Sequence, residues 1–360
     1  MKKIILGIVA VIIIVIASHL WRSNPIQNNN SDSSKPTIKI GTILPLTGGM
    51  GNLVEPGNHG ALLAVEELNA NPDNKYRYEL ISEDTAMDAK RAIPIYKKMV
   101  HLDKVSAIIS FDSQAALVIK PLAEQDKILH ISAAADPAAA GNEHNFRYFT
   151  DMGESVDKLL QYFEKMGYRK IAIASINYTT SKTVLEILKN QAKNFGIETV
   201  VESLVNPNER QLQSEAYKIV QSNPDVVFLY GFEPVISLYA RELKNAGYKG
   251  AISGINTPSY SEHPELLEGG IYLDCGTGTE AFKEKYRQKF GTEPNTLSPV
   301  MFDSVNIIAR MHESGTQKPG EILPSYIGQN GKLIMKPGGL IHADLVFVRM
   351  TNGKPIPVKE

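Results

Sequence analysis

The chain has one cysteine and one tryptophan in 360 residues. A single thiol, Cys275, leaves no partner for an intrachain disulfide, so no cystine framework holds the fold. Neither charge dominates: 38 Lys and Arg stand against 39 Asp and Glu, a net charge of −1. The basic footprint of a nucleic-acid-binding protein is therefore missing. The eight histidines are scattered, with no H-E-x-x-H and no Cys pair, so no metal site is expected. No G-x-S-x-G elbow occurs. Gly48-Gly49-Met50-Gly51 lacks the third glycine of a dinucleotide loop and has no following G-K-[ST], so it reads as a tight turn. No carboxylate pair has a spacing that singles it out as acid and base. Nothing here implies a catalyst or a cofactor. A binding protein needs neither.

What is present is ordinary globular material. Hydrophobic residues make up 43% and glycine adds 27 residues, enough for two folded units. Met1-Lys2-Lys3 precedes fourteen uncharged residues, Ile4 to Ala17. A helix of that length spans roughly 21 Å, short for a bilayer core. A basic start and an apolar run make a secretion signal. Extended through Trp21 to Arg22, the same segment reads as an uncleaved anchor, and both readings stand for residues 1–21. Residues 22–36, rich in Asn, Ser, Gln and Pro, read as a flexible tether. The folded part is expected outside the cytoplasm, periplasmic if the cell has a periplasm.

From Thr37 onward, strand-like and helix-like segments alternate. Ile38 to Leu44 is a strand stopped by Pro45, a Gly-rich loop follows, and Gly60 to Asn69 carries a helical stripe. The series repeats from about Asp151, with Lys170 to Ser175 and Val226 to Tyr230 as strands and Gly196 and Gly247 closing helices. This alternation predicts α/β architecture: two lobes, each a doubly wound parallel sheet covered by helices. Ligands in such sheets bind beyond the carboxyl ends of strands. Residues just after strands are therefore the functional candidates.

Several segments, in order, carry a resemblance. They are Ile38-Lys39-Ile40-Gly41-Thr42-Ile43-Leu44-Pro45-Leu46-Thr47-Gly48, Gly60-Ala61, Ala64 to Asn69, Ser82-Glu83-Asp84-Thr85, Lys127 to Ala135, Phe146-Arg147, Lys170 to Ile173 and Pro224 to Phe228. Over Thr37 to about Val348 the chain resembles the type I periplasmic binding proteins, the leucine/isoleucine/valine-binding kind that serves ABC importers. The resemblance implies three crossovers as the hinge, lobe one at 37–150 plus 278–326, and lobe two at 151–277 plus 327–360. It implies a monomer that closes on a small-molecule ligand and meets an ABC permease in the inner membrane. A tethered sensor signalling to a membrane partner is the alternative.

Residue by residue, Ser113 matches a family hydroxyl at a helix start, where free N–H groups suit a ligand carboxylate. Ala134 and Asp136 match the family's Ala-x-Thr, with Asp136 in place of the Thr. Phe232 matches a Tyr, and Asn256 matches a Glu that holds the ligand ammonium. Asn177-Tyr178-Thr179-Thr180 replaces a Tyr-Gly turn. Read without the family, Ser113 and Asp112 equally serve as helix caps. Asp136 serves as a turn residue, Glu233 as a helix start, Cys275 as a structural thiol, and Phe111 and Tyr230 as core. The acids Asp112, Asp136 and Glu233 have no Lys or Arg in their own loops, and Phe111, Tyr178 and Phe232 lie in comparable loops. Acids beside aromatic faces suit a cation. The expected ligand is thus small and polar: an amino acid, an amine or an amide, with the two departures favouring an amine or amide.

Overall fold

The computed structural model describes residues 35–358, apart from 49, 142 and 344. The expected signal or anchor at 1–21, and nearly all of the tether, lie outside the described residues. Among those described, no helix is long and apolar enough to cross a membrane.

The first sheet takes β1 (Thr37–Leu44), β2 (Arg77–Asp84), β3 (Ala107–Phe111), β4 (Leu129–Ala133) and β5 (Asn145–Tyr148). The second takes β6 (Lys170–Ile176), β7 (Glu198–Val205), β8 (Val226–Tyr230), β9 (Ala251–Ile255) and β10 (Ile271–Asp274). A small hairpin, β11 (Ile327–Gly328) and β12 (Gly331–Lys332), precedes four late strands. These are β13 (Ile334–Lys336), β14 (Leu340–His342), β15 (Val346–Thr351) and β16 (Lys354–Pro357). The strand orders are β13-β14-β5-β4-β3-β1-β2 and β16-β15-β10-β9-β8-β6-β7. Pairing is parallel except at the outermost late strands, where β13–β14, β15–β16 and β10–β15 run antiparallel.

Each sheet is buried on both faces, as parallel sheets are. In β8, Val226, Phe228 and Tyr230 enter one core while Val227 and Leu229 enter the other, the period of two that a pleated strand imposes. The helices of the first half are α1 (Gly51–Ala70), α2 (Ala89–Lys98) and α3 (Ser113–Asp126). Those of the second are α4 (Met152–Lys165), α5 (Thr179–Ala192), α6 (Gln213–Gln221), α7 (Val235–Asn245) and the single turn α8 (Thr257–Tyr260). Then come α9 (Glu280–Phe290) and α10 (Leu297–Ser314), which share the core of the first sheet through Phe282, Tyr286, Met301 and Val305.

The expected helix at Gly60 begins nine residues earlier, at Gly51. Glycines and Pro56 hid its first turns from the periodicity. Their value is close approach: a Cβ on Gly60 would stand 2.1 Å from the Ser298 carbonyl oxygen, and one on Gly57 2.6 Å from the Leu297 side chain. The placement of 327–360 with the second lobe needs correcting. β14 pairs with β5 at Leu340↔Arg147 and Ile341↔Tyr148, so the stretch to His342 joins the first sheet. Only β15 and β16 join the second. The chain passes between sheets three times: after Tyr148, after Asp274 and after His342.

Candidate functional site

The carboxyl ends of the two sheets meet across a cleft. Ser113 Oγ and Thr180 Oγ1, at the starts of α3 and α5, lie 3.5 Å apart. Gln114 Nε2 donates to Thr179 Oγ1 at 3.0 Å, and Asn52 Nδ2 of α1 donates to Glu262 Oε1 at 2.5 Å.

Three cavities lie along the cleft. The outer one, about 490 Å³ and partly open to solvent, runs between the start of α1 and the loops at 232–234 and 260–262. Its charged lining residues are Arg210, Glu233, Glu262 and Glu293. The middle one, a small space of about 10 Å³, is lined by Phe111, Asp112, Thr180, Tyr230 and Phe232, among others. The inner one, a narrow space of about 30 Å³, reaches back toward the crossovers past Leu53, Phe149, Asn256, Leu297 and Val300. Neither the middle nor the inner cavity has Lys or Arg in its lining, and Asp112 is the one carboxylate there.

Asp112 ends β3 in a backbone conformation unusual for a side-chain-bearing residue, φ 72° and ψ 154°. Its carboxylate turns onto the start of α3, where Ala115 N–H donates to Oδ1 at 2.8 Å and Gln114 N–H also contributes. Burial pushes its pKa up to about 6, against the pull of those N–H groups. Ser113 is fully buried, and its hydroxyl accepts from the Asp136 N–H at 3.1 Å. Ala134 is buried in the first lobe, and its carbonyl and that of Ala135 both accept from Arg147 Nη1, at 3.1 and 2.8 Å.

The other candidates lie as follows. Asp136 accepts from Ala138 N–H at 2.8 Å and caps the turn Pro137–Ala139. Arg147 on the neighbouring strand interacts with its charge, so Asp136 is not the uncompensated acid its loop suggests. Glu233 is also committed, accepting from Ser237 Oγ at 2.5 Å and from Glu262 N–H at 2.7 Å. Tyr178 meets Phe232 edge-on, ring centres 6.2 Å apart. Burial, and then the nearby Asp112, raise the Tyr178 pKa. Asn256 adopts φ 57° and is buried, its Oδ1 accepting from Cys275 N–H at 3.1 Å. Phe111 lines both the middle and inner cavities.

The structure thus brings Phe111, Asp112, Phe232 and Asn256 to cavity walls and sets Tyr178 against Phe232. Ser113, Ala134 and Asp136 stand behind, tied to backbone groups or to Thr180. Sequence reasoning passed over Tyr260, which closes α8 and packs 5.7 Å from Phe232. It comes five residues after β9, outside the immediate strand end. Cys275, expected to be structural, is half-buried and lines the inner cavity. Burial and the adjacent Asp274 raise its thiol pKa.

A family profile described as periplasmic binding protein matches residues 37–320. The chain is 24% identical over 289 residues to "Leu/Ile/Val-binding protein homolog 7" of Brucella abortus, covering 72% of each chain. It is equally 24% identical to homolog 8 of the same organism. Among solved structures it resembles the branched-chain amino acid substrate-binding protein LivJ of Streptococcus pneumoniae, in complex with isoleucine. That likeness has a TM-score of 0.78 at 21% identity, covering 90% of this chain and 100% of that one. A solute-binding protein of R. palustris in complex with benzoate gives 0.77 at 14% identity, covering 89% and 95%. At such identities the solved structures speak for the fold alone. The match over 37–320 speaks for the family, one of solute-binding proteins rather than enzymes. The chain belongs to the periplasmic binding proteins, in the type I, leucine/isoleucine/valine-binding family.

Proposed function

We propose that this chain is an extracytoplasmic receptor that closes on a small amine or amide and delivers it to an ABC importer. The observation that carries the ligand class is the position of Asp112. Its carboxylate occupies the N–H groups at the start of α3, where the resemblance would seat a ligand carboxylate. Ser113 Oγ, the hydroxyl of that seat, already accepts from Asp136 N–H. A second carboxylate there would face a buried anion of its own sign. No Lys or Arg lines the inner or middle cavity to offset it.

An ammonium or amide N–H meets the opposite situation. A carboxylate offers about four lone-pair sites, so two backbone donors leave Asp112 able to accept from a ligand. The faces of Phe232 and Phe111 nearby add about 0.5–2 kcal/mol to a cation seated against them. The isoleucine- and benzoate-bound neighbours hold carboxylates, and the position of Asp112 argues that this chain departs from them. Delivery to an importer is supported by the transporter-associated names of those neighbours, and export by the family.

The test is calorimetry with leucine, leucinamide and 3-methylbutylamine. The amide or amine is expected to bind at least tenfold tighter than leucine, about 1.4 kcal/mol. Tighter leucine binding, undiminished in Asp112→Ala, would restore the ordinary family ligand.

A further inference from the structure

The carboxyl ends of the second sheet face the cleft. Its amino ends, where β9 starts at Ala251 and β10 at Ile271, wall a separate groove. Two open cavities of about 500 and 410 Å³ make up this groove, and they share Tyr162, Met166 and Arg349. Local structure explains the space. α4 covers Phe347 through Tyr162, ring centres 5.3 Å apart, and stops at Lys165. Arg349, two residues along the same face of β15, is exposed. Gly250, Gly269 and Gly270 line the groove without side chains to fill it. The Tyr272 hydroxyl lies beside Gly270, whose Cβ would stand 2.6 Å from it, and is buried with no hydrogen-bond partner among the described residues.

Lys158, Lys165, Lys244, Lys249 and Arg349 line the groove, against two carboxylates, Glu265 and Glu268. Both carboxylates are held by their own surroundings. Glu265 meets His263 at 3.1 Å, and Glu268 accepts from the N–H groups of Asn352 and Gly353 at 3.0 and 3.1 Å. None of the five cations has an ion-pair partner among the described residues. Arg349 makes one long hydrogen bond, 3.4 Å to the Gly269 carbonyl. Lys165 and Lys244 sit in the last turns of α4 and α7, where the helix dipole accounts for them. Lys158, Lys249 and Arg349 have no such account. We propose that this groove is a second binding site, for a small anion with an aromatic or alkyl body. Its charge pairs with the planar fork of Arg349, and its body lies against Tyr162 and Met166, the other two residues common to both cavities. The lysines add a positive field around the pair. A cavity of this size is ordinary for a small-molecule site. The site is independent of the reading of the cleft and takes the opposite charge.

The probes are 4-phenylbutanoate and its neutral counterpart 4-phenylbutanamide, and Met166 is the reporter. Its side chain is 49% exposed, whereas Met152 and Met350 of the same lobe are 3% and 0% exposed. Hydrogen peroxide should therefore oxidise Met166 ahead of them, and peptide mass spectrometry follows the rate. Excess 4-phenylbutanoate should slow that oxidation at least fivefold, and the amide less than twofold. An amide held in the cleft leaves this rate alone, so the readout is separate from the proposed cleft ligand. Calorimetry with 4-phenylbutanoate should show a tenfold or greater loss of affinity in Arg349→Gln. Lys249→Gln, at an exposed loop position, should cost about threefold. Lys97→Gln, an equal change of net charge on the exposed face of α2, should cost less than twofold. Unchanged Met166 oxidation, or no heat from 4-phenylbutanoate, overturns the site. Equal protection by acid and amide overturns its preference for an anion, and equal losses in Arg349→Gln and Lys97→Gln overturn the role of Arg349.

Discussion

Two buried carboxylates, Asp112 at the cleft and Asp303 in the core of the first lobe, share a titration behaviour and differ in everything around them. Burial pushes each up to about 6. Asp303 is saturated. Tyr148 Oη donates to Oδ2 at 2.9 Å, Tyr326 Oη to Oδ1 at 2.5 Å, and Gln329 N–H reaches both oxygens at 3.0 and 3.2 Å. These bonds tie the end of β5, helix α10 and the residues on either side of β11 into one unit. Asp112 has two backbone donors on one side and a cavity on the other. The same pKa shift thus marks a structural cross-link in one place and an unfilled acceptor in the other. What separates them is the count of remaining lone pairs, not the degree of burial.

The largest expected effect breaks the structural member. Asp303→Ala strands two buried tyrosine hydroxyls and should cost about 3–5 kcal/mol of stability. Asp112→Ala loses a helix cap, about 1 kcal/mol. Urea unfolding of both variants checks this, and equal costs would erase the distinction.

Next comes pH. Both folded-state values lie above the ordinary carboxyl value, so between pH ~4 and ~6 the folded chain binds more protons than the unfolded one. Each acid's stabilising contribution is full below that window and is lost as pH rises through about 6, by up to about 3 kcal/mol. His130 slopes the other way. Its ring, buried between Ser110 and Asn145, has its pKa lowered to about 4, so its contribution fades as pH falls below about 6.5. The difference curve between the natural chain and Asp303→Asn isolates one acid. It should decline from pH 4 to 7, and a rising difference would reverse the assignment.

Binding sharpens the contrast at the cleft. Asp112→Asn should weaken 3-methylbutylamine tenfold or more, about 1.4 kcal/mol, while Asp303→Asn changes it less than twofold. In the natural chain the amine should bind more weakly as pH drops below about 6, when Asp112 protonates. Isothermal titration at pH 5 and pH 7.5 reads both. The smallest effect belongs to the cleft contact itself. Gln114→Ala removes one exposed hydrogen bond to Thr179 and should lower affinity about two- to fivefold, roughly 0.5–1 kcal/mol.

The fold was legible where residues act locally. β8 shows its strand in the branched and aromatic run Val226 to Tyr230, and the helical stretch that α5 begins shows its end in Gly196. It was illegible where long-range packing decides. Gly57 and Gly60 weaken α1 as a local helix signal because they serve its contact with α10, some 240 residues away. β14 holds its place through two register pairs with β5, for which three residues of sequence carry no mark. At the site, strand-end logic pointed to Phe111, Asp112 and Phe232 and the family resemblance to Asn256, and all four line the cleft cavities. It overread Asp136 and Glu233, because a carboxylate's commitment to Ala138 N–H or Ser237 Oγ depends on rotamers that sequence spacing does not encode.

The late strands have a further consequence for assembly. Both sheets take strands from residues 334–357, so neither is complete until this stretch has been synthesised. A ribosome-bound intermediate would carry two sheets with unpaired outer edges. Such long sequence separations between pairing strands slow folding, because loop closure comes before the contacts that compensate it. Under the export proposed above, that delay keeps the chain extended longer and so able to thread a translocation channel.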